Sequence, residues 1–167
     1  MNQAESEKRK VIGTGGLVCV RKRFDELTIK ELYALLRLRI AVFVVEQNCP
    51  YQDLDDRDQA AIHVWLQDGE EIVAVLRVMD RGVESAEVSI GRVISNRRHQ
   101  GVGSLLLQEG IRAAVECFGA DRIYLEAQTV ARPFYERQGF RALPGEFEMD
   151  GIPHVRMVCD CRECGFL

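Results

Sequence analysis

Glu87-Val88-Ser89-Ile90-Gly91-Arg92-Val93-Ile94-Ser95, then Arg98-His99-Gln100-Gly101-Val102-Gly103, then Ser104-Leu105-Leu106-Leu107-Gln108-Glu109-Gly110-Ile111 reads as a strand, a basic glycine-bearing turn and a helix. A helix leaves its first backbone N–H groups without intrahelical acceptors, and the aligned peptide dipoles place about half a positive charge beside them. A pyrophosphate suits such a turn. Gly101 and Gly103 carry no Cβ, so the backbone can take unusual dihedrals and admit phosphate oxygens close to the amides. Two other phosphate loops are excluded by the same residues. The chain has no Gly-Lys pair for a Walker A loop, and Leu106 stands where the dinucleotide fingerprint needs its third glycine. What remains is R-x-x-G-x-G, a pattern that an ordinary α/β turn also satisfies.

The 167 residues suit one domain, and 47% hydrophobic residues is ordinary for a globular protein. A formal net charge of −4 argues against a broad nucleic-acid surface, while the basic cluster Arg97-Arg98-His99 stays available for a small phosphate ligand. The longest apolar run, Ile40 to Val45, is far shorter than the roughly 20 residues of a membrane helix. Met1–Lys10 lacks the apolar core of a signal peptide. A cytoplasmic protein with no membrane or nucleic-acid partner is expected, its six cysteines reduced. Cys159, Cys161 and Cys164 are close enough for a metal, but a structural zinc site wants four ligands and His154 would be a strained fourth, so no metal is expected.

Along the chain, residues 1–16 read as a disordered arm, 17–160 as a single domain and 161–167 as a tail. Leu17–Phe24 is strand-like. Thr28-Ile29-Lys30-Glu31 is a capping box opening a long helix whose core stripe is Leu32, Leu35, Leu36, Arg39 and Phe43, ended by Asn48-Cys49-Pro50. The acidic stretch Tyr51–Ala60 fails as a calcium loop, because Asp58 stands where glycine is needed and Val64 where glutamate is needed. Asp68-Gly69 joins two strands of a hairpin, Gly119 ends the helix after the phosphate turn, and Arg122–Ala127 is a further strand. Pro133 opens a short helix over 132–137, and His154–Cys159 is the last strand. The order predicts α/β architecture: a mixed, mostly antiparallel central sheet flanked by helices.

Three stretches in this order, Val93-Ile94-Ser95-Asn96, Arg98 through Ser104, and Phe134-Tyr135-Glu136-Arg137-Gln138-Gly139-Phe140, resemble the central strand, pyrophosphate loop and late F-Y-x-x-x-G-F element of the GNAT superfamily of N-acetyltransferases. Tyr33, Arg39, Val42 to Gln47, Tyr51 to Asp55, Gly91-Arg92-Val93 and Asp150 to Val155 resemble its ElaA-like branch. The likeness runs from about Phe24 to Val158, leaving out the arm and the cysteine tail.

The resemblance implies the GNAT fold and acetyl transfer from acetyl-CoA, as cosubstrate, to an amine of a small molecule or peptide, by direct attack in a ternary complex. Amides of Arg98, His99, Gln100, Gly101, Val102, Gly103 and Ser104 would hold the pyrophosphate. The backbone at Val93 would pair with the pantetheine arm and polarise the thioester carbonyl. Tyr135 would protonate the departing thiolate, the alternative being a packed interfacial aromatic. Glu46 is the candidate base, on the expectation that burial at the end of the first long helix raises its pKa; His63 and His154 are rivals. Gln128 either contacts the pantetheine or caps the chain locally. Asp53, Asp55 and Asp58 either attract a cationic amine or pair internally with Arg39 and Arg92 as a rigid clamp. The fold admits a homodimer. The alternative to an enzyme is a non-catalytic acyl-CoA-binding module or a protein-interaction module.

Overall fold

The computed structural model describes residues 9–13, 15–163 and 165. A meander of antiparallel strands runs from β1 (Arg9–Ile12) through β2 (Leu17–Arg23), β3 (Ala61–Asp68) and β4 (Glu71–Met79) to β5 (Val88–Ser95). The disorder expected up to Gly16 is thus corrected from Arg9 onward. Arg9 pairs with Val20 and Ile12 with Leu17, and the buried apolar side chains of Ile12 and Leu17 give the arm a reason to dock. Residues 1–8 lie outside the described residues.

Between β2 and β3 lies α1 (Ile29–Arg39), started by the capping box: Thr28 Oγ1 accepts from the Glu31 amide at 3.2 Å, and the Glu31 carboxylate accepts from the Thr28 amide at 2.9 Å. Leu35 and Arg39 of the expected stripe are buried. Beyond Arg39 the helix widens into π-helical turns over Ile40–Glu46, with the Gln47 amide donating to the Val42 carbonyl at 3.1 Å. Such widened turns gather at functional sites.

After β5 come α2 (Val102–Phe118), β6 (Arg122–Gln128), α3 (Arg132–Arg137), β7 (Arg141–Met149) and β8 (Ile152–Asp160). Gly119, at φ +56°, closes α2 in the left-handed conformation that glycine tolerates. The strand order is β1-β2-β3-β4-β5-β6-β8-β7, and the sheet is mixed because β5 and β6 are parallel. Pro144 and Gly145 hide β7 in the sequence; its register with β8 breaks between Ala142 and Glu146.

The two sheet faces carry separate apolar clusters. Val64, Leu66, Leu76, Val78 and Ile123 pack under Leu106, Leu107 and Ile111 of α2, while Val20, Trp65, Val75 and Ile94 pack under Leu35 of α1. Period-two alternation along β3 and β4 therefore splits each strand between two cores. No described helix is long and apolar enough to cross a membrane.

The cysteines depart from the expectation. Cys19, Cys49, Cys117 and Cys161 are free, but Cys159 is disulfide-bonded, which corrects the reading of six reduced thiols. Nor does the tail fray at its start: Cys161 is buried and its amide donates to the Asp121 carbonyl at 2.9 Å. Burial pushes the Cys19 thiol up to about 12, which leaves it protonated and unreactive.

Candidate active site

The sheet opens where β5 and β6 part. They pair only at Val88 with Ile123 and Ser89 with Tyr124, and further along β6 bonds to β8 alone. On its other side β5 bulges: Arg77 faces Gly91 and Val75 faces Ile94, so Arg92 and Val93 together oppose Leu76. Arg92 takes φ +55° to make this possible. A bulge bends its strand and re-aims side chains, and here it turns β5 away from β6. The resulting cleft, of about 650 Å³, is lined by Ile90 to Ser95 on one side and by Glu126, Ala127 and Gln128 on the other. Its ends are closed by Phe43 and Gln47 beyond α1, by Tyr135 of α3, and by His154 of the β7–β8 hairpin.

Downstream of β5 the glycine-bearing turn from Arg98 to Gly103 leads into α2. Gly101 sits at the N-cap of α2 with φ +76°, and no side chain caps the helix. The first helical bond is from the Leu105 amide to the Gly101 carbonyl at 3.1 Å, which leaves the amides of Val102, Gly103 and Ser104 without intrahelical acceptors. A methyl group on Gly103 would meet the Phe134 ring at 3.6 Å, an ordinary contact, so folding alone does not require glycine there. His99 takes φ +60° and Gln100 is exposed beside it. The Ser104 hydroxyl accepts from Gln138 Nε2 at 3.1 Å. Arg97 turns away to Asp68 at 2.8 Å, whereas Arg98 lines the cleft and is ion-paired with Glu46.

The expectation of a buried carboxylate at Glu46 is therefore corrected. Its side chain is 49% exposed and its charge is met by Arg98, because the π-helical segment ends at the protein surface. His63 does not line the cleft: it is buried beside the Phe24 ring, where Nε2 meets the Asp58 carbonyl at 3.0 Å and burial lowers its pKa. Gln128 caps nothing; its Nε2 donates to Gln47 Oε1 at 2.9 Å across the cleft. Val93 is half-buried in the bulge.

Tyr135 is 8% exposed, with its ring edge-on to Phe134 and Phe140 at centroid distances of 5.0 and 6.0 Å. Burial raises its phenol above the ordinary range. Tyr135 is among the residues that line the cleft.

The acidic loop is a clamp. Asp53 accepts from Arg39 Nε at 2.9 Å, from Arg92 Nε at 2.7 Å and from the Tyr51 hydroxyl at 2.7 Å. Arg77 grips Asp55 with two bonds, at 2.8 and 2.6 Å, and Asp58 joins Arg39 to Arg77 at 2.7 and 3.1 Å. Burial would raise the carboxyls of Asp55 and Asp58, but the arginine hydrogen bonds and charges outweigh it and hold both below the ordinary range. Three carboxylates against three guanidiniums cancel, so the loop offers little field to a cationic amine. Arg77 is a residue that sequence reasoning missed. A lone arginine in the apolar run Val73 to Met79 was its signal, since a charge on a buried strand needs a buried partner. Among the described residues, no group of His, Cys, Asp and Glu side chains is placed to hold a metal ion.

A sequence profile of the acetyltransferase (GNAT) domain matches residues 26–161. The protein ElaA of Escherichia coli K12 is 40% identical over 138 residues, covering 80% of this chain and 90% of that protein. The crystal structure of E. coli ElaA superposes with a TM-score of 0.80, covering 86% of this chain and 99% of that one. An acyl-CoA N-acyltransferase from Pseudomonas aeruginosa superposes with a TM-score of 0.78 at 38% identity, covering 84% and 98%. With its parted β5 and β6, its uncapped helix after the bulged strand, and relatives of this identity along most of its length, the chain belongs to the GNAT acetyltransferase family.

Proposed function

We propose that the protein transfers the acetyl group of acetyl-CoA to an amine of a small molecule or peptide, by direct attack within a ternary complex. The observation that carries the reading is the uncapped N-terminus of α2, which follows closely on Arg98, a residue that lines the cleft between β5 and β6. The free amides of that N-terminus and Arg98 suit a diphosphate, and the parted edges of β5 and β6 suit an extended arm that hydrogen-bonds like a strand. The N–H groups at the Arg92–Val93 bulge are freed from regular ladder pairing, and one of them would polarise the thioester carbonyl.

Tyr135 supplies the proton that the departing thiolate needs. Its raised pKa keeps the phenol protonated near neutral pH until a strong base forms beside it. No protein nucleophile enters this scheme, in which the amine attacks the thioester directly; Cys49, a free cysteine that lines the cleft, has its thiol on the Asp150 carbonyl at 3.5 Å. The acetyltransferase (GNAT) domain match and the Pseudomonas aeruginosa acyl-CoA N-acyltransferase support the transferase class, and the acetyl group and amine acceptor are the present reading.

Thiol release from acetyl-CoA across a panel of amines, with mass detection of the product, is the test. A product heavier than the amine by one acetyl group supports the reading. Binding of acetyl-CoA with no thiol release for any amine would instead indicate an acyl-CoA-binding module.

A further inference from the structure

We propose that His154 is the base that deprotonates the acceptor ammonium, an assignment that rests on the transferase reading above. In the β6–β8 register His154 faces Gln128, so both side chains lie on one sheet face, and Gln128 already reaches across the cleft to Gln47. His154 itself lines the cleft. Its ring is held from two sides. Nδ1 lies 2.7 Å from the Ile152 carbonyl oxygen, and Phe147, its partner in the β7–β8 register, packs against it with ring centroids 5.8 Å apart. Phe147 is in turn backed by the Arg156 guanidinium, 4.2 Å from its centroid.

A carbonyl oxygen only accepts, so the hydrogen of the neutral imidazole must sit on Nδ1. Nε2 is left with its lone pair and has no partner among the described residues. A hydrogen bond of this kind fixes the tautomer and the ring orientation together.

Other bases around the cleft are already engaged. Asp55 is gripped by Arg77, Glu84 is paired with Arg57 at 3.1 Å, and Glu126 accepts from the Tyr124 hydroxyl at 2.7 Å. Asp150 is exposed in the hairpin turn. The charged groups sharing the cleft with His154 are Glu126 on β6, Asp150 in the turn, Arg92 on β5, Arg98 before α2, and Asp55, Arg57 and Glu84 at its far end, with Arg156 alongside on β8.

The protons then balance. The acceptor ammonium gives one proton to Nε2, which passes it to solvent after turnover. The neutral nitrogen attacks the thioester carbonyl carbon, a C–N bond forms and the C–S bond breaks. The second proton lost by that nitrogen replaces the one Tyr135 donates to sulfur. The products are amide, thiol and one released proton.

The test uses His154→Asn, whose side-chain amide takes the position of Nδ1–H and keeps the bond to the Ile152 carbonyl while removing Nε2. Coenzyme A affinity and thermal midpoint should stay near wild type, kcat should fall by about 100-fold or more, and the acid limb of the kcat/KM pH profile should vanish. His154→Ala should recover rate in proportion to added imidazole. A His154→Asn enzyme with wild-type rate or an unchanged acid limb would overturn the assignment while leaving the transferase reading intact. So would a His154→Ala enzyme that imidazole does not rescue. Wild-type protein that releases no thiol with any amine would overturn both.

Discussion

Arg98 of the phosphate loop and Glu46 at the end of the π-helical segment form an ion pair that ties the α1 side of the cleft to the mouth of α2. Arg98 is thus held by a carboxylate at the place where phosphate oxygens would bind it. The two anions compete for one guanidinium. Glu46→Gln should therefore tighten coenzyme A binding by up to about fivefold, the scale set by an exposed pair of roughly 0.2–1 kcal/mol. Turnover should survive. Calorimetric titration of coenzyme A, with kcat measured on the same sample, checks both parts, and a kcat reduced by 100-fold would return the role of base to Glu46.

Gly101 has open space where a side-chain methyl would point but a φ of +76°, so what it resists is conformation and not volume. A β-branched residue is a real outlier there. Gly101→Val should shift the turn and misalign at least one amide. Loss of one charge-assisted hydrogen bond, at about 1.5–3 kcal/mol, corresponds to a drop of tenfold or more in coenzyme A affinity. Equilibrium binding measures it, and undiminished affinity would place the diphosphate elsewhere.

Tyr135→Phe keeps the edge-on packing with Phe134 and Phe140 and deletes only the hydroxyl. Coenzyme A affinity and thermal midpoint should hold, while kcat falls by about 100-fold because the thiolate departs without its proton. If Tyr135 is an interfacial aromatic and nothing more, single-turnover rates of the variant will match wild type.

Much of this site is visible in the residues before any coordinates. The glycine turn into α2, the capping box at Thr28 and Glu31 and the Pro133 helix are local devices, each decided by neighbours in sequence, and local chemistry suffices to find them. What stays hidden depends on distant pairings. Nothing in the residues around Glu46 tells that Arg98, 52 positions away, meets its charge. The bulge at Arg92 and Val93 needs β4 to count against, and the clamp needs Arg77 brought from β4 onto Asp55 and Asp58. The bond from His154 to Ile152 is local, but its importance rests on Gln128 across the sheet.

The clamp makes a prediction in pH. Asp55 and Asp58 titrate below the ordinary carboxylate range when folded, so on acidification the unfolded chain takes up protons first and stability falls as the pH drops below about 4. Asp58→Asn at neutral pH strands parts of Arg39 and Arg77 in the interior, and removing one partner of a buried pair costs about 3–5 kcal/mol. Urea midpoints between pH 7 and 3 should show the variant weaker at neutrality and less sensitive to acid than wild type. A parallel pair of curves would mean that Asp58 contributes no pH-dependent stability.

Gly110 sets how closely α2 lies on the sheet. A methyl group there would stand 2.6 Å from Leu76 Cδ2 and 3.0 Å from Cδ1, and Leu76 is wholly buried beneath it. Alanine is the better helix former by about 1 kcal/mol, yet overpacking a tight core costs about 1–3 kcal/mol. Contact at 2.6 Å belongs to the upper part of that range, so Gly110→Ala should lower stability in chemical denaturation. Leu76→Val shortens the opposing side chain and, alone, leaves a small void. Combined with Gly110→Ala the void and the methyl should offset each other, so the double variant should be more stable than the sum of the single losses by roughly 0.5 kcal/mol or more, the expected coupling between touching residues. Strict additivity would show that α2 lifts off β4 to absorb the methyl, and the phosphate turn at its start would then move with it.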